Sequence, residues 1–121
     1  MKYDRIYISG KITGVPDLNK PKFQAAEEFV FRHQGFVHDI VNPHKLPDDH
    51  DKTWSSYMKE CIKALCTCQH VVVLDDWEGS RGAITEVLIA KILQIPVWHI
   101  ETMAPLKISV RRLLCKLFIM Y

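Results

Sequence analysis

Long apolar runs are the first thing this chain lacks. Its hydrophobic stretches are a handful of residues long, against the roughly 20 that a membrane-spanning helix needs. Charge of one sign is the second. Lys and Arg number 16 and Asp and Glu 14, a net charge of +2, too little to argue for nucleic acid or an anionic membrane as a partner. The four cysteines, Cys61, Cys66, Cys68 and Cys115, include no C-x-x-C pair and have no histidine pair beside them. That spacing does not suit zinc, and the thiols are expected to be reduced and to pack as small apolar groups. The opening residues Met1-Lys2-Tyr3-Asp4-Arg5 lack the apolar core of a signal peptide, so a cytoplasmic protein is expected. There is no internal repeat and no low-complexity segment. Asp48-Asp49-His50-Asp51 has carboxylates but neither the glycine nor the distal glutamate of a calcium loop.

What is present suits a soluble globular protein. The composition is 48% hydrophobic and 25% charged, and 121 residues make one domain, 1–121, with a core of its own. Short apolar runs alternate with segments of helical spacing. Arg5–Ser9 reads as a buried strand. Asn19-Lys20-Pro21 starts a helix, with Asn as cap and Pro in the first turn; Phe23, Ala26, Phe29 and Val30 carry its apolar face and Gly35 stops it. Phe36–Val41 is a second strand, ended by Asn42-Pro43. Thr53 caps a helix running to about Cys66, with Trp54, Tyr57, Met58, Ile62 and Leu65 on one side. His70–Leu74 is a third strand, Gly82–Gln94 a helix and Ile95–Ile100 a fourth strand. From about Ala104 a last helix carries Leu106, Val110, Leu113 and Leu117 in one stripe, to pack on the core or on a partner subunit.

This alternation predicts an α/β fold: a Rossmann-like, flavodoxin-like domain with a parallel sheet of four to five strands in the order 2-1-3-4 and helices on both faces. Such sheets bind ligands beyond the carboxyl ends of the strands, at the switch point between strands 1 and 3. Three polar loops converge there: Ser9-Gly10-Lys11-Ile12-Thr13-Gly14, Asn42-Pro43-His44 and Asp75 to Arg81. In the third, Ser80 and Gly82 stand at a helix start, where unpaired N–H groups and the helix dipole favour anions such as phosphate. Glu86 follows a turn later, on the face of Ile89, Ala90 and Leu93. A carboxylate in an apolar stripe is costly unless it is paired or lines a cleft; at the stripe's edge it would only support the helix dipole. Tyr7 alternates with Ile6 and Ile8 and so points to the opposite side of its strand, towards the helix of Glu86. Asp75 and Asp76 point in opposite directions, so one of them is available to the cleft. Trp54, Tyr57 and Trp77 are aromatic at helical or turn positions, where core packing competes with stacking on a base.

Tyr7-Ile8-Ser9-Gly10-Lys11-Ile12-Thr13-Gly14, Asn42-Pro43, Trp54-x-x-Tyr57-Met58 and Trp77-Glu78-x-Ser80-Arg81-Gly82-Ala83-x-x-Glu86 together resemble the nucleoside deoxyribosyltransferase-like superfamily, and within it a small branch from phages and bacteria related to the deoxynucleoside monophosphate N-glycosidases. The likeness runs over roughly residues 3–100. It implies that Glu86 is a nucleophile held by Tyr7, that Ser80 and Gly82 take a 5′-phosphate, and that the loop Gly10, Lys11, Ile12, Thr13, Gly14 lines the pocket; from the convergence of the three loops, Ser9, Asn42, Asp75 and Trp77 are expected to bind substrate there too. It further implies a nucleotide or nucleoside ligand, a homodimer or higher homo-oligomer, and no need for a metal or cofactor. Where the transferases acting on free nucleosides carry an aspartate, this chain has Ser80, which points to phosphorylated ligands. Two family aspartates are replaced, one by Cys61 and one by Gln69. The first assists protonation of the leaving base, so a nucleotide-binding protein without turnover is the alternative reading.

Overall fold

The computed structural model describes residues 4–33, 39–47 and 53–120. Four strands form one sheet: β1 (Arg5–Ser9), β2 (Asp39–Val41), β3 (His70–Val73) and β4 (Val97–His99). All pairings are parallel and the order is β2-β1-β3-β4, as the alternation predicts. Four helices connect and cover them: α1 (Lys20–His33), α2 (Trp54–Leu65), α3 (Arg81–Ile92) and α4 (Val110–Met120).

The strands carry apolar residues on both faces because both are covered. Ile6 and Ile8 of β1, with Val72 and Leu74 at β3, pack on Phe23, Ala26 and Val30 of α1. Tyr7, Val71 and Val73 face the other way, into a larger core shared with α2, α3 and α4 through Cys61, Leu65, Ala83, Val87 and Leu113. A one-residue slip of β1 would exchange the two faces, so the burial of Ile8 and Tyr7 fixes its register.

Several boundaries differ from the sequence reading, each for a local reason. Asn19 ends the 3-10 segment Pro16–Asn19 at a φ of +62° instead of serving as the expected cap, and its amide donates to the Lys11 carbonyl at 2.8 Å and to Asp76 at 3.0 Å. Gly35 and the Phe36–His38 part of the second strand lie outside the described residues, as does Asp48-Asp49-His50-Asp51. Thr53 does cap α2, its hydroxyl accepting from the Ser56 N–H at 3.0 Å. Leu93 leaves the face of Glu86 and is half exposed at the end of α3, whose buried face is Ala83, Ile84, Glu86, Val87 and Ala90. The last helix begins at Val110 rather than near Ala104. Pro105 bridges back to Trp98 and the Leu106 N–H bonds to the Val97 carbonyl at 2.8 Å, so the segment returns along β4 before turning helical. Leu106 still enters the core, but from an extended segment.

Candidate active site

A cleft of about 430 Å³ opens at the carboxyl ends of β1 and β3, the position where the strand order reverses. Its floor is Glu86, on the second turn of α3 and 5% exposed. Ser9 Oγ donates to Glu86 Oε1 at 2.7 Å, and the Tyr7 hydroxyl donates to Oε2. Both donors come from β1, where alternate residues share a face, so one strand supplies one partner to each carboxylate oxygen. Burial pushes the Glu86 carboxyl up from its usual 4.5 to about 7, against the two hydroxyls that favour the charged form. Tyr7, fully buried beside that carboxylate, is pushed well above its ordinary value, first by burial and then by the charge of Glu86.

The rim on one side is the start of α3. Ser80 is the N-cap, in extended conformation, and its Oγ accepts from the Ala83 N–H at 3.1 Å. Gly82 lies in the first turn, where N–H groups have no partner within the helix. A Cβ at Gly82 would stand 3.1 Å from Met58 Sδ, so its bareness serves the packing of α3 on α2 as well as access to the backbone. Two cations flank this helix end. Lys11 Nζ reaches within 3.8 Å of where a Cβ on Gly79 would be. The Arg81 guanidinium lies 3.8 Å from the centroid of the Trp54 ring, within cation–π range.

The loop after β1 forms the opposite rim through Gly10, Lys11, Ile12 and Thr13. It is held by Asp76. Asp76 Oδ1 accepts from the Lys11 N–H at 3.0 Å; Oδ2 accepts from Asn19 at 3.0 Å and from Lys22 Nζ at 3.2 Å. Asn19 also holds the Lys11 carbonyl, so both sides of this residue's backbone are committed. Gly10 sits so close to the end of β3 that a Cβ there would lie 2.6 Å from Leu74 Cδ1 and 3.0 Å from Leu74 Cβ. The remaining wall is sulfur-rich and aromatic: Tyr57, Met58 and Cys61 of α2, and Met120 of α4. Cys61 lies beside Tyr7 and Tyr57, and burial pushes its thiol up to about 12.

Of the residues singled out in the sequence, Gly10, Lys11, Ile12, Thr13, Ser80, Gly82 and Glu86 line the cleft, and Tyr7 and Ser9 meet it through Glu86. Four others are placed elsewhere. Gly14 has a φ of +81° and open space around it, so it serves the turn. Asn42 caps the 3-10 turn Pro43–Lys45, accepting from the His44 N–H at 3.0 Å, and donates to Glu27 at 3.2 Å. Asp75 pairs with Lys22 and is half exposed; its neighbour Asp76 is the one turned inward, though towards the loop. Trp77 is 2% exposed and packs in the larger core. Met58 and Met120 line the cleft without a signal of their own in the sequence, whereas Gly79 and Arg81 line it as part of the loop Asp75 to Arg81 expected at this edge. Arg81 was the most accessible of them, since a cation at the start of a helix opposes the dipole and therefore needs another reason to be there.

The family model described as "Domain of unknown function (DUF4406)" matches residues 4–99. The chain belongs to this family. No curated protein matches it. Among solved structures, the 2-deoxyribosyltransferase of the psychrotolerant bacterium Bacillus psychrosaccharolyticus, characterised as a biocatalyst for the synthesis of antiviral and antitumoral nucleosides, is similar to it. The TM-score is 0.57 over 78% of this chain and 70% of that one, at 19% identity. The likeness establishes a shared fold: a DUF4406 chain builds its parallel sheet and surrounding helices as a deoxyribosyltransferase does. Among the described residues, no helix is long and apolar enough to cross a membrane, and no three His, Cys, Asp or Glu side chains are grouped to hold a metal ion.

Proposed function

We propose that residues 1–121 form one enzyme domain that cleaves or transfers the N-glycosidic bond of a (deoxy)nucleoside monophosphate, with Glu86 as nucleophile. The observation that carries this reading is the setting of Glu86: a buried carboxylate with a hydroxyl donor on each oxygen, opening into a cleft whose rim offers a capped helix start and two cations. Glu86 Oε attacks the anomeric carbon and forms a glycosyl ester; water, or a second base, resolves it. Tyr7 and Ser9 orient the carboxylate and stabilise its charge. Ser80, the Gly82 N–H, Lys11 and Arg81 hold the phosphate. No step calls for a metal or cofactor.

Incubation with a panel of deoxynucleoside monophosphates, followed by chromatography, tests the reading. Released base that disappears in Glu86→Gln is the expected result. No release from any nucleotide, with Glu86→Gln indistinguishable from wild type, overturns it. The alternative, a protein that binds a nucleotide without turnover, draws on Cys61, a poor acid where the resemblance expects an aspartate. It predicts a thermal shift with nucleotide and no product. For the assembled state we propose a homodimer or larger homo-oligomer, supported by the exposure of Phe118 (83%) and Ile119 (87%) on α4.

A further inference from the structure

The wall of the cleft beside Glu86 says which bases such a reaction would accept; this inference rests on the glycosidic reading above. A neutral purine or pyrimidine leaves as an anion unless an acid protonates its ring, and a positioned acid contributes on the order of 10²–10⁴-fold. Among the described residues, Glu86 is the one carboxylate lining the cleft, and as nucleophile it must be ionised. The protons of Tyr7 and Ser9 are directed at Glu86 itself. The neighbouring groups are the Cys61 thiol, Tyr57 and the thioethers of Met58 and Met120.

We infer that the cleft is built for nucleotides whose base is already cationic, a pyridinium or an N7-alkylated purinium, which depart neutral without receiving a proton. Burial raises both the Cys61 thiol and the Tyr57 phenol, which weakens them further as acids. Polarisable sulfur and aromatic edges suit a flat, electron-poor ring. The ring's charge faces the Glu86 carboxylate, while Lys11 and Arg81 at the rim face the phosphate.

The step balances without an added proton. Glu86 Oε bonds to C1′ as the C1′–N bond breaks; the bonding pair stays on the ring and cancels its positive charge. Water then bonds to C1′ as the ester C1′–O bond breaks. That pair returns to Glu86, and one water proton leaves to solvent through the carboxylate.

The test compares nicotinamide mononucleotide and 7-methylguanosine monophosphate with the uncharged-base deoxynucleoside monophosphates, on wild type, Glu86→Gln and Cys61→Asp. We expect wild type to favour a charged-base nucleotide by at least about 100-fold in kcat/KM, the lower end of what an absent acid withholds, with Glu86→Gln abolishing release. Which of the two is cleaved faster separates pyridinium from purinium. Cys61→Asp is expected to raise cleavage of uncharged-base nucleotides by about tenfold or more relative to the charged-base arm. A merely structural role for Cys61 would lower both arms together, and that result overturns the inference. So does wild-type release of uncharged bases within tenfold of the charged ones, which would leave the glycosidic reading intact. Glu86-independent behaviour with every nucleotide removes both.

Discussion

Glu86 is where sequence arithmetic and side-chain chemistry meet. Its carboxyl stands near 7 because burial disfavours the charge. Between about 4.5 and about 7 the unfolded chain has released this proton and the native chain keeps it, so stability falls as pH rises through that window and levels above it. Glu86→Gln removes the dependence: urea unfolding at pH 5 and pH 8 should show wild type losing up to roughly 3 kcal/mol more than the variant. On the proposed glycosidic reading activity runs the opposite way, since Glu86 as nucleophile must be ionised; kcat/KM is expected to climb to a plateau above about pH 7. Tyr7→Phe deletes a donor to the carboxylate, so Glu86 titrates higher, the limb moves to higher pH, and kcat/KM at pH 7 drops by about 10- to 100-fold. A rate profile unmoved by Tyr7→Phe would remove Tyr7 from the site. The pairing of Tyr7 with Glu86 was legible because strand alternation and helix periodicity are both fixed by backbone geometry. The choice between Asp75 and Asp76 was not. It depends on how the chain turns after β3, and local sequence leaves that open.

At the scale of elements, the start of α3 and the loop after β1 carry the candidate site; Ser80 caps the first, and Asp76 with Asn19 holds the second. Ser80→Ala removes the cap and is expected to cost about 1 kcal/mol in chemical denaturation, together with weaker nucleotide affinity. Asp76→Ala strips the partners of Lys11, Asn19 and Lys22 and should cost about 1–3 kcal/mol. On the proposed reading it should also raise KM more than it lowers kcat, because the loop, not Glu86, loses its support. An Asp76→Ala protein with wild-type stability and wild-type KM would remove the clamp from the account. Gly10→Ala forces its Cβ against Leu74, with an expected cost of about 1–3 kcal/mol. The strands and the helix caps at Thr53 and Ser80 could be read from short-range pattern. The late start of α4 could not, since Pro105 and Leu106 are drawn into contact with β4 by a return that no helical stripe encodes.

For the whole molecule, the order β2-β1-β3-β4 was legible because strand–helix alternation and right-handed crossovers leave few other arrangements. The contents of the cleft were only half legible, as Trp54, Arg81 and Met120 meet there from three helices far apart in the chain. The exposed end of α4 bears on assembly. Phe118→Asp with Ile119→Asp should lower the mass seen by light scattering if copies associate through this face, at little cost to monomer stability because both side chains are already open to solvent; an unchanged mass would place the contact elsewhere.

The double hold on Lys11 has a thermodynamic corollary. With its N–H on Asp76 and its carbonyl on Asn19, this peptide has given up its freedom during folding, before any ligand arrives. A titration calorimeter should therefore find little ordering entropy charged to the β1 loop when a nucleotide binds, and Asp76→Ala should show that charge as a more unfavourable binding entropy.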